Sequence, residues 1–285
     1  MSKATRIWLI VAAALVLVGL IIIFGVMTML HWDWNKLSSD KYETNVSHIT
    51  QDFKNISIMT DTADVAFMPS EDGRTVVSCY EQTKGKHLVT VNGDTLTVKI
   101  ANTKKWYDYI GINVGTPSIT VYLPQSEYEA LTVKSRTGSI NVSDMSVDTL
   151  DLYVTTGKVT ATDIVCEGDV SVSVSTGKTH LTDIKCKKLI SDGNTGNITM
   201  ENVIATESFS IERSTGDVSL DGCDAAEIFI TTDTGDVWGS LLSDKVFITH
   251  TDTGKVDTPK TTVGGRCEIT TDTGDIKIQI KEKTA

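Results

Sequence analysis

The chain has 285 residues, of which 40% are hydrophobic, and its 26 basic and 37 acidic residues give a formal net charge of −11. This length is enough for one or two domains with a substantial hydrophobic core. An acidic chain repels phosphate backbones and other anionic polymers, so the composition argues against nucleic acid as a partner.

The first 30 residues predict a transmembrane helix. The run Ile7–Leu30 holds 24 residues without a charge. As a helix it would be roughly 36 Å long, enough to cross a hydrocarbon layer of about 30 Å and contact its lipid. A cleaved signal peptide is the alternative, but its apolar region is usually only about 7–15 residues and is followed by a small-residue cleavage site. No such site follows Leu30, so an uncleaved anchor is favoured.

The charges beside the span predict its orientation. Lys3 and Arg6 precede it and no acid does, which by the positive-inside rule puts residues 1–6 in the cytoplasm. Residues 31–285 then lie outside the cell membrane, as the large part of a single-pass protein. Because two of the 26 basic residues lie in the tail, residues 31–285 have 24 basic and 37 acidic residues and a formal net charge of −13. We predict a polar stalk over 31–45, followed by an irregular β-rich cap over 46–130.

A Thr-Gly repeat dominates the rest of the chain, with successive glycines 19 or 20 residues apart. Each glycine is expected at a corner, where it supplies a positive φ or permits a close approach of the backbone. The corner glycines are Gly138, Gly157, Gly177, Gly196, Gly216, Gly235, Gly254 and Gly274.

Aligning the repeats on these glycines predicts the fold. Apolar residues recur seven and five positions before the glycine and two after it. Alternation with period two indicates short strands facing one interior. A unit this short buries its apolar face only by stacking on its neighbours. We therefore predict an all-β chain whose residues 131–285 form a single-stack β-solenoid of about eight coils. The last strand, 277–283, carries charges that would discourage further stacking at that end.

Acidic residues near the corners raise two questions of chemistry. Asp-Thr-Gly occurs three times, but other repeats replace this aspartate freely, which is typical of a turn and not of an aspartic protease. Asp233 with Asp236, and Asp272 with Asp275, could form a weak Ca²⁺ site at one edge. Lys255 falls between these two repeats in sequence, so solvated turn carboxylates are the favoured interpretation. No other metal spacing and no cofactor is predicted.

Cysteines and aromatic residues supply two further candidates. Cys166 and Cys186 follow their glycines by nine residues in consecutive repeats. Their Cα atoms would then be about 4.8 Å apart, which permits a disulfide, although core thiols are favoured because the same column holds small apolar residues. Trp106, Tyr107 and Tyr109 interrupt the β-rich cap and are candidate partner contacts.

The residues resemble a bacterial family of envelope β-solenoids, the putative-adhesin family. The resemblance covers roughly residues 46–280. It rests on the segment 53–58 (FKNISI), the turn 69–73 (PSEDG), the strand 119–124 (ITVYLP) and the serial Thr-Gly-Asp/Lys-Val repeats. It implies surface display, adhesion and a link to envelope-stress systems, and it supplies no catalytic residues.

Three functions remain open at this point. The residues contain no catalytic constellation, so a non-enzymatic, adhesin-like binding or scaffolding module comes first, with cell-wall glycan or another envelope protein as its partner. An accessory protein of an envelope-stress response, acting through a membrane partner, is the second. The third and least favoured is a carbohydrate-active β-helix enzyme.

Overall fold

The computed structural model describes residues 2–33, 41–102 and 115–281. The first element is the helix α1, Lys3–Met29, which begins inside the predicted cytoplasmic tail because the Ser2 side chain accepts a hydrogen bond from the Thr5 N–H. It is long and apolar enough to cross a membrane, and none of its most apolar stretch is buried against the rest of the chain. Such a helix near the N-terminus is compatible with a membrane anchor and with a signal peptide.

The remainder is built from strands. Those of the cap are β1 (Tyr42–Ile49), β2 (Asn55–Thr60), β3 (Asp64–Pro69), β4 (Thr75–Gln82), β5 (Gly85–Asn92), β6 (Thr95–Asn102) and β7 (Ser118–Leu123). Those of the repeats are β8 (Glu127–Thr137), β9 (Ile140–Thr156), β10 (Val159–Cys166), β11 (Asp169–Thr176), β12 (Thr179–Thr195), β13 (Ile198–Glu201), β14 (Ile204–Thr215), β15 (Val218–Thr234), β16 (Val237–Leu241), β17 (Lys245–Thr253), β18 (Val256–Asp257), β19 (Gly265–Thr273) and β20 (Ile276–Ile280).

The cap changes the pairing from parallel to antiparallel. β2 and β3 still form a coil, because β2 pairs in parallel with β6 and β8, and β3 pairs in parallel with β7 and β9. Beyond them β5 runs antiparallel to β6, and β4 runs antiparallel to both β7 and β1. Because β1 starts at Tyr42, residues 42–45 belong to this sheet and not to the predicted stalk. Residues 34–40 of that stalk lie outside the described residues.

Each regular coil has three corners. In the coil that follows Gly157, the chain turns at the glycine, at Asp163 and at Glu167–Gly168. Asp163 has a φ of 54°, a left-handed conformation that aspartate, asparagine and glycine adopt more readily than other residues. The same corner holds Asp144, Asp183, Asn202 and Gly222, all with φ between 53° and 61°. The coil therefore has three short sides around one core.

The third corner explains why repeats have 19 or 20 residues. The parallel register between β12 and β14 shifts between Cys186 and Lys188, and that between β14 and β15 shifts between Ala205 and Ser208. The additional residue of a longer repeat is thus accommodated at this corner, while both flanking strands stay in register with their neighbours. The interior columns are preserved as a result.

The predicted columns form the core, which confirms the β-solenoid. Seven residues before the glycines, the side chains of Leu131, Leu150, Val170, Leu189, Phe209, Ile228 and Cys267 are fully buried. Phe247, in the same column, is only partly buried. This exception points to a difference in how the last two coils stack.

The last two coils do not stack in sequence order. β15 pairs with β19 and β16 pairs with β20. Among the described strands, β17 pairs only with β19, and β18 pairs only with β20. The C-terminal coil, residues 265–281, is therefore inserted between the Gly235 corner and the coil formed by β17 and β18. The expectation that the C-terminal strand closes the stack is wrong. Within the described part of the chain, the coil at the open end is residues 245–257.

This insertion makes a prediction about two residues of one column. Ile276 is fully buried between Val237 and Val256, whereas Val256 is 45% exposed. Ile276→Ala should lower the free energy of unfolding by about 2–4 kcal/mol, and Val256→Ala by less than about 1 kcal/mol. Urea unfolding of the two variants measures both. Stacking in sequence order would bury Val256 instead and reverse the two costs.

Candidate functional site

The corner glycines permit the coils to approach each other closely. A methyl group at Gly177 would lie 1.7 Å from the carbonyl oxygen of Gly157, and Gly177 has a φ of 142°. Seven of the eight corner glycines have a positive φ; the exception is Gly254, where a methyl group would still lie 2.0 Å from the Gly274 oxygen. Backbone geometry excludes any other residue at these positions, so the glycines have a structural role and do not form a binding or catalytic site.

The residues that follow the last five corner glycines form a second line of contacts between coils. The Asp236 N–H donates to the Asp217 carboxylate at 3.1 Å, and the Asp275 N–H donates to the Asp236 carboxylate at 2.7 Å. The line begins at Asn197, whose side-chain oxygen accepts from the Asp217 N–H, and it ends at Lys255, whose N–H donates to Asp275 at 2.8 Å. We call these five residues the Asp ladder.

Two of the four predicted Ca²⁺ ligands, Asp236 and Asp275, belong to the Asp ladder. Asp236 and Asp275 each accept a backbone hydrogen bond, and Lys255 lies at the outer end of the ladder and not between them. Asp233 and Asp272 lie before the same corners, on neighbouring coils. Within residues 2–33, 41–102 and 115–281, these four aspartates do not converge into a group of metal-ligating atoms.

All five cysteines are free thiols and all are buried. Cys166 and Cys186 lie in neighbouring coils, since Val165 pairs with Lys185 immediately before them. The Cys166 thiol donates to the Asp148 carbonyl at 3.3 Å. Burial raises the pKa of Cys79, Cys186 and Cys267 to about 12 and that of Cys223 to about 11. These thiols are therefore protonated and poorly nucleophilic at neutral pH.

The cap contains a buried polar cluster that the sequence pattern did not predict. Alternation along β4 turns Cys79 and Glu81 to the same inner side, and β5 brings His87 beside them. One ligand atom from each of the three residues lies within 4.8 Å of the other two. The side chains of Glu81 and His87 are only 1% and 3% exposed. We call these three residues the cap cluster.

Hydrogen bonds orient each member of the pair Glu81–His87. The carboxylate oxygen Oε2 of Glu81 lies 2.7 Å from Nδ1 of His87 and accepts from the His87 backbone N–H at 2.6 Å. The other oxygen accepts from the Asn45 amide at 2.8 Å, and Nε2 of His87 lies 3.0 Å from the Thr60 hydroxyl. Both side chains are therefore fixed from two directions.

One feature of the sequence could have indicated the cap cluster, namely an acidic residue at an inward-facing position of a strand. Glu81 lies two residues after Cys79, so in a strand rich in β-branched residues both side chains are expected on the same inner side. A carboxylate is rarely buried unless it is paired, so its partner had to come from a neighbouring strand. The sequence alone did not specify His87 as that partner, because the order of strands in the cap is irregular.

Two open clefts flank the segment 124–128, where the cap meets the repeats. One has a volume of about 430 Å³, and its walls include Phe67, Leu123, Asp144 and Asp163. The other has a volume of about 610 Å³, and its walls include His48, Phe53 and Arg74. Both contact Tyr128, whose ring stacks on Phe53 with the ring centroids 6.0 Å apart. Trp106, Tyr107 and Tyr109, predicted as partner contacts, lie outside the described residues.

Comparison with known proteins finds one matching family and several solved structures that are similar to this chain. The sequence model of the family described as Toastrack DUF4097 matches residues 53–285. Among solved structures, the chain is similar to a putative adhesin from Bacteroides fragilis, with 18% identity and a TM-score of 0.53 over 85% of this chain and 99% of that one. It is also similar to a putative lipid binding protein from Parabacteroides distasonis, with 15% identity and a TM-score of 0.45 over 85% and 98% of the two chains. None of the curated proteins compared with the chain matches it.

The Asp ladder yields a prediction about charge. Asp236→Asn keeps an oxygen for the Asp275 N–H but removes repulsion from the flanking carboxylates, so it should raise stability, and more at low salt than at high salt. Asp236→Ala should lower stability by about 0.5–1 kcal/mol, because it removes the acceptor. Urea unfolding at low and high NaCl measures both effects.

Asp257→Asn is the control, since Asp257 is an exposed acid in the outermost coil, two residues beyond Lys255. It removes the same charge without touching the ladder and should change stability little. A loss of stability in Asp236→Asn at low salt would contradict the proposed repulsion.

Proposed function

This chain belongs to the Toastrack DUF4097 family, and on that premise we propose that it is a membrane-tethered, extracytoplasmic binding module and not an enzyme. One observation carries the proposal. The solenoid buries its own apolar columns by stacking, whereas the most apolar stretch of α1 is not buried by any of the described residues. A bilayer is the environment that satisfies such a helix.

The charges at the N-terminus support the orientation. Lys3 and Arg6 are the charged residues at that end of α1, and the solenoid follows the other end. By the positive-inside rule the short N-terminal segment stays in the cytoplasm, and the solenoid is displayed outside. The net charge of −13 on that part (24 bases and 37 acids) favours neutral or cationic ligands over anionic ones.

The clefts beside the segment 124–128 are the proposed binding surface, with cell-wall glycan as the ligand. The walls of the smaller cleft combine the exposed apolar side chains of Met68 and Val165 with the carboxylates of Asp144 and Asp163. Sugars present an apolar ring face and hydroxyl groups that donate to such acceptors, and carboxylates make the stronger hydrogen bonds. The similarity to a Bacteroides fragilis protein described as a putative adhesin agrees with a binding role.

A glycan-binding assay tests this role. The double change Asp144→Asn and Asp163→Asn should weaken binding of the purified protein to cell-wall glycan by about tenfold, because it removes two charged acceptors. Asparagine also tolerates the left-handed backbone of this corner. Asp183→Asn is the matched control, because Asp183 has the same corner position in the next coil, outside this cleft. If the double variant and the wild-type protein bind glycan with equal affinity, the cleft is not the binding surface. Release of soluble sugar by the wild-type protein would contradict the non-enzymatic role.

Cysteine labelling in intact cells tests the topology. Because the native thiols are buried and their pKa values are raised, the wild-type protein should react little with a membrane-impermeant maleimide. Lys134→Cys, on the exposed side of β8, should be labelled in intact cells. Ser2→Cys should be labelled only after permeabilisation. The opposite pattern contradicts the orientation, and loss of the N-terminal segment from the mature protein contradicts the anchor.

A further inference from the structure

We propose that the cap cluster binds one divalent transition-metal ion of the zinc class, with Cys79 Sγ, Glu81 Oε2 and His87 Nδ1 as its ligands. The site lies apart from the clefts and from α1, so it does not rest on the proposed function.

The donor atoms suit this class of metal. A thiolate, an imidazole nitrogen and a carboxylate oxygen form a ligand set typical of zinc, with bonds of about 2.0–2.3 Å. Calcium and magnesium prefer oxygen ligands alone, so the thiol argues against them. The three donor atoms already lie within 4.8 Å of one another, and small side-chain rotations would bring them around a common centre.

The surrounding hydrogen bonds are those of a supported metal site. A histidine that ligates through one ring nitrogen usually makes a hydrogen bond with the other, which fixes the ring. Here Nε2 of His87 lies 3.0 Å from the Thr60 hydroxyl, which leaves Nδ1 directed at Glu81. The Asn45 amide holds the second oxygen of Glu81 in the same way. The ligands would need little reorganisation on binding.

Charge balance gives a reason for the cluster. Glu81 is 1% exposed, and a carboxylate oxygen of this residue lies within 4.8 Å of the Cys79 thiol. A divalent cation balances one carboxylate and one thiolate, and it binds the thiolate as the thiol releases its proton to solvent. Because the ligands come from two strands, the ion would fasten β5 to β4 within the antiparallel part of the cap.

Cobalt binding by the full-length protein in detergent tests the site. After chelation and exchange, Co²⁺ should produce a thiolate-to-metal absorption band in the near ultraviolet that saturates at one ion per chain. Zn²⁺ should raise the unfolding temperature by several degrees, because a ligand that binds only the folded state stabilises it, whereas Mg²⁺ should not.

Variants connect the signal to the cluster. Cys79→Ser should abolish the band, whereas Cys186→Ser should keep it, since Cys186 is a similarly buried thiol in the repeats. Glu81→Gln keeps the shape of the side chain and should weaken Co²⁺ binding at least tenfold, which tests the site even if Cys79→Ser fails to fold. The proposal is overturned if the wild-type protein gives neither the band nor the Zn²⁺ shift. A band that persists in Cys79→Ser or is unweakened in Glu81→Gln overturns it as well.

Discussion

Parallel hydrogen bonding between successive coils is the interaction on which the rest of this structure depends. It holds each residue about 4.8 Å from its counterpart in the next coil, so whatever the sequence places at one corner is repeated along the stack. At the Thr-Gly corner this spacing brings the backbone so close that a side chain at Gly177 would collide with the preceding carbonyl. The glycine is therefore a consequence of stacking, and the Asp ladder is another, since each carboxylate is placed beside the next N–H.

The same constraint explains how much of the fold the sequence could predict. A column such as Leu150, Val170 and Leu189 is visible in the sequence because stacking demands the same polarity at the same offset. The order of the last two coils was not visible. Phe247 and Cys267 suit the same column equally well, and so do Val256 and Ile276, so hydrophobic pattern alone fits either order.

The adjacent glycines Gly264 and Gly265 are consistent only with the observed order of the coils. A methyl group at Gly264 would lie 1.8 Å from the Asp244 oxygen, and one at Gly265 would lie 1.7 Å from the Ala226 oxygen. The chain at this corner is thus compressed between two other coils, which happens only if the C-terminal coil is interior. Such a signal is recognised only once the partners on both sides are known, because a glycine pair in sequence also fits an ordinary turn.

The repeats also constrain where specific chemistry can arise. In the middle of the stack, each inner side chain packs in the core, and each corner residue contacts its counterparts in the two neighbouring coils. A substitution there that introduced a ligand-binding side chain would therefore disturb both of these coils. The cap is released from this rule, because its antiparallel strands need not repeat one another. Cys79, Glu81 and His87 converge there, and the clefts beside residues 124–128 open where the cap meets the first coils. The part of the chain that the repeat pattern describes least is therefore the part with the most freedom to bind.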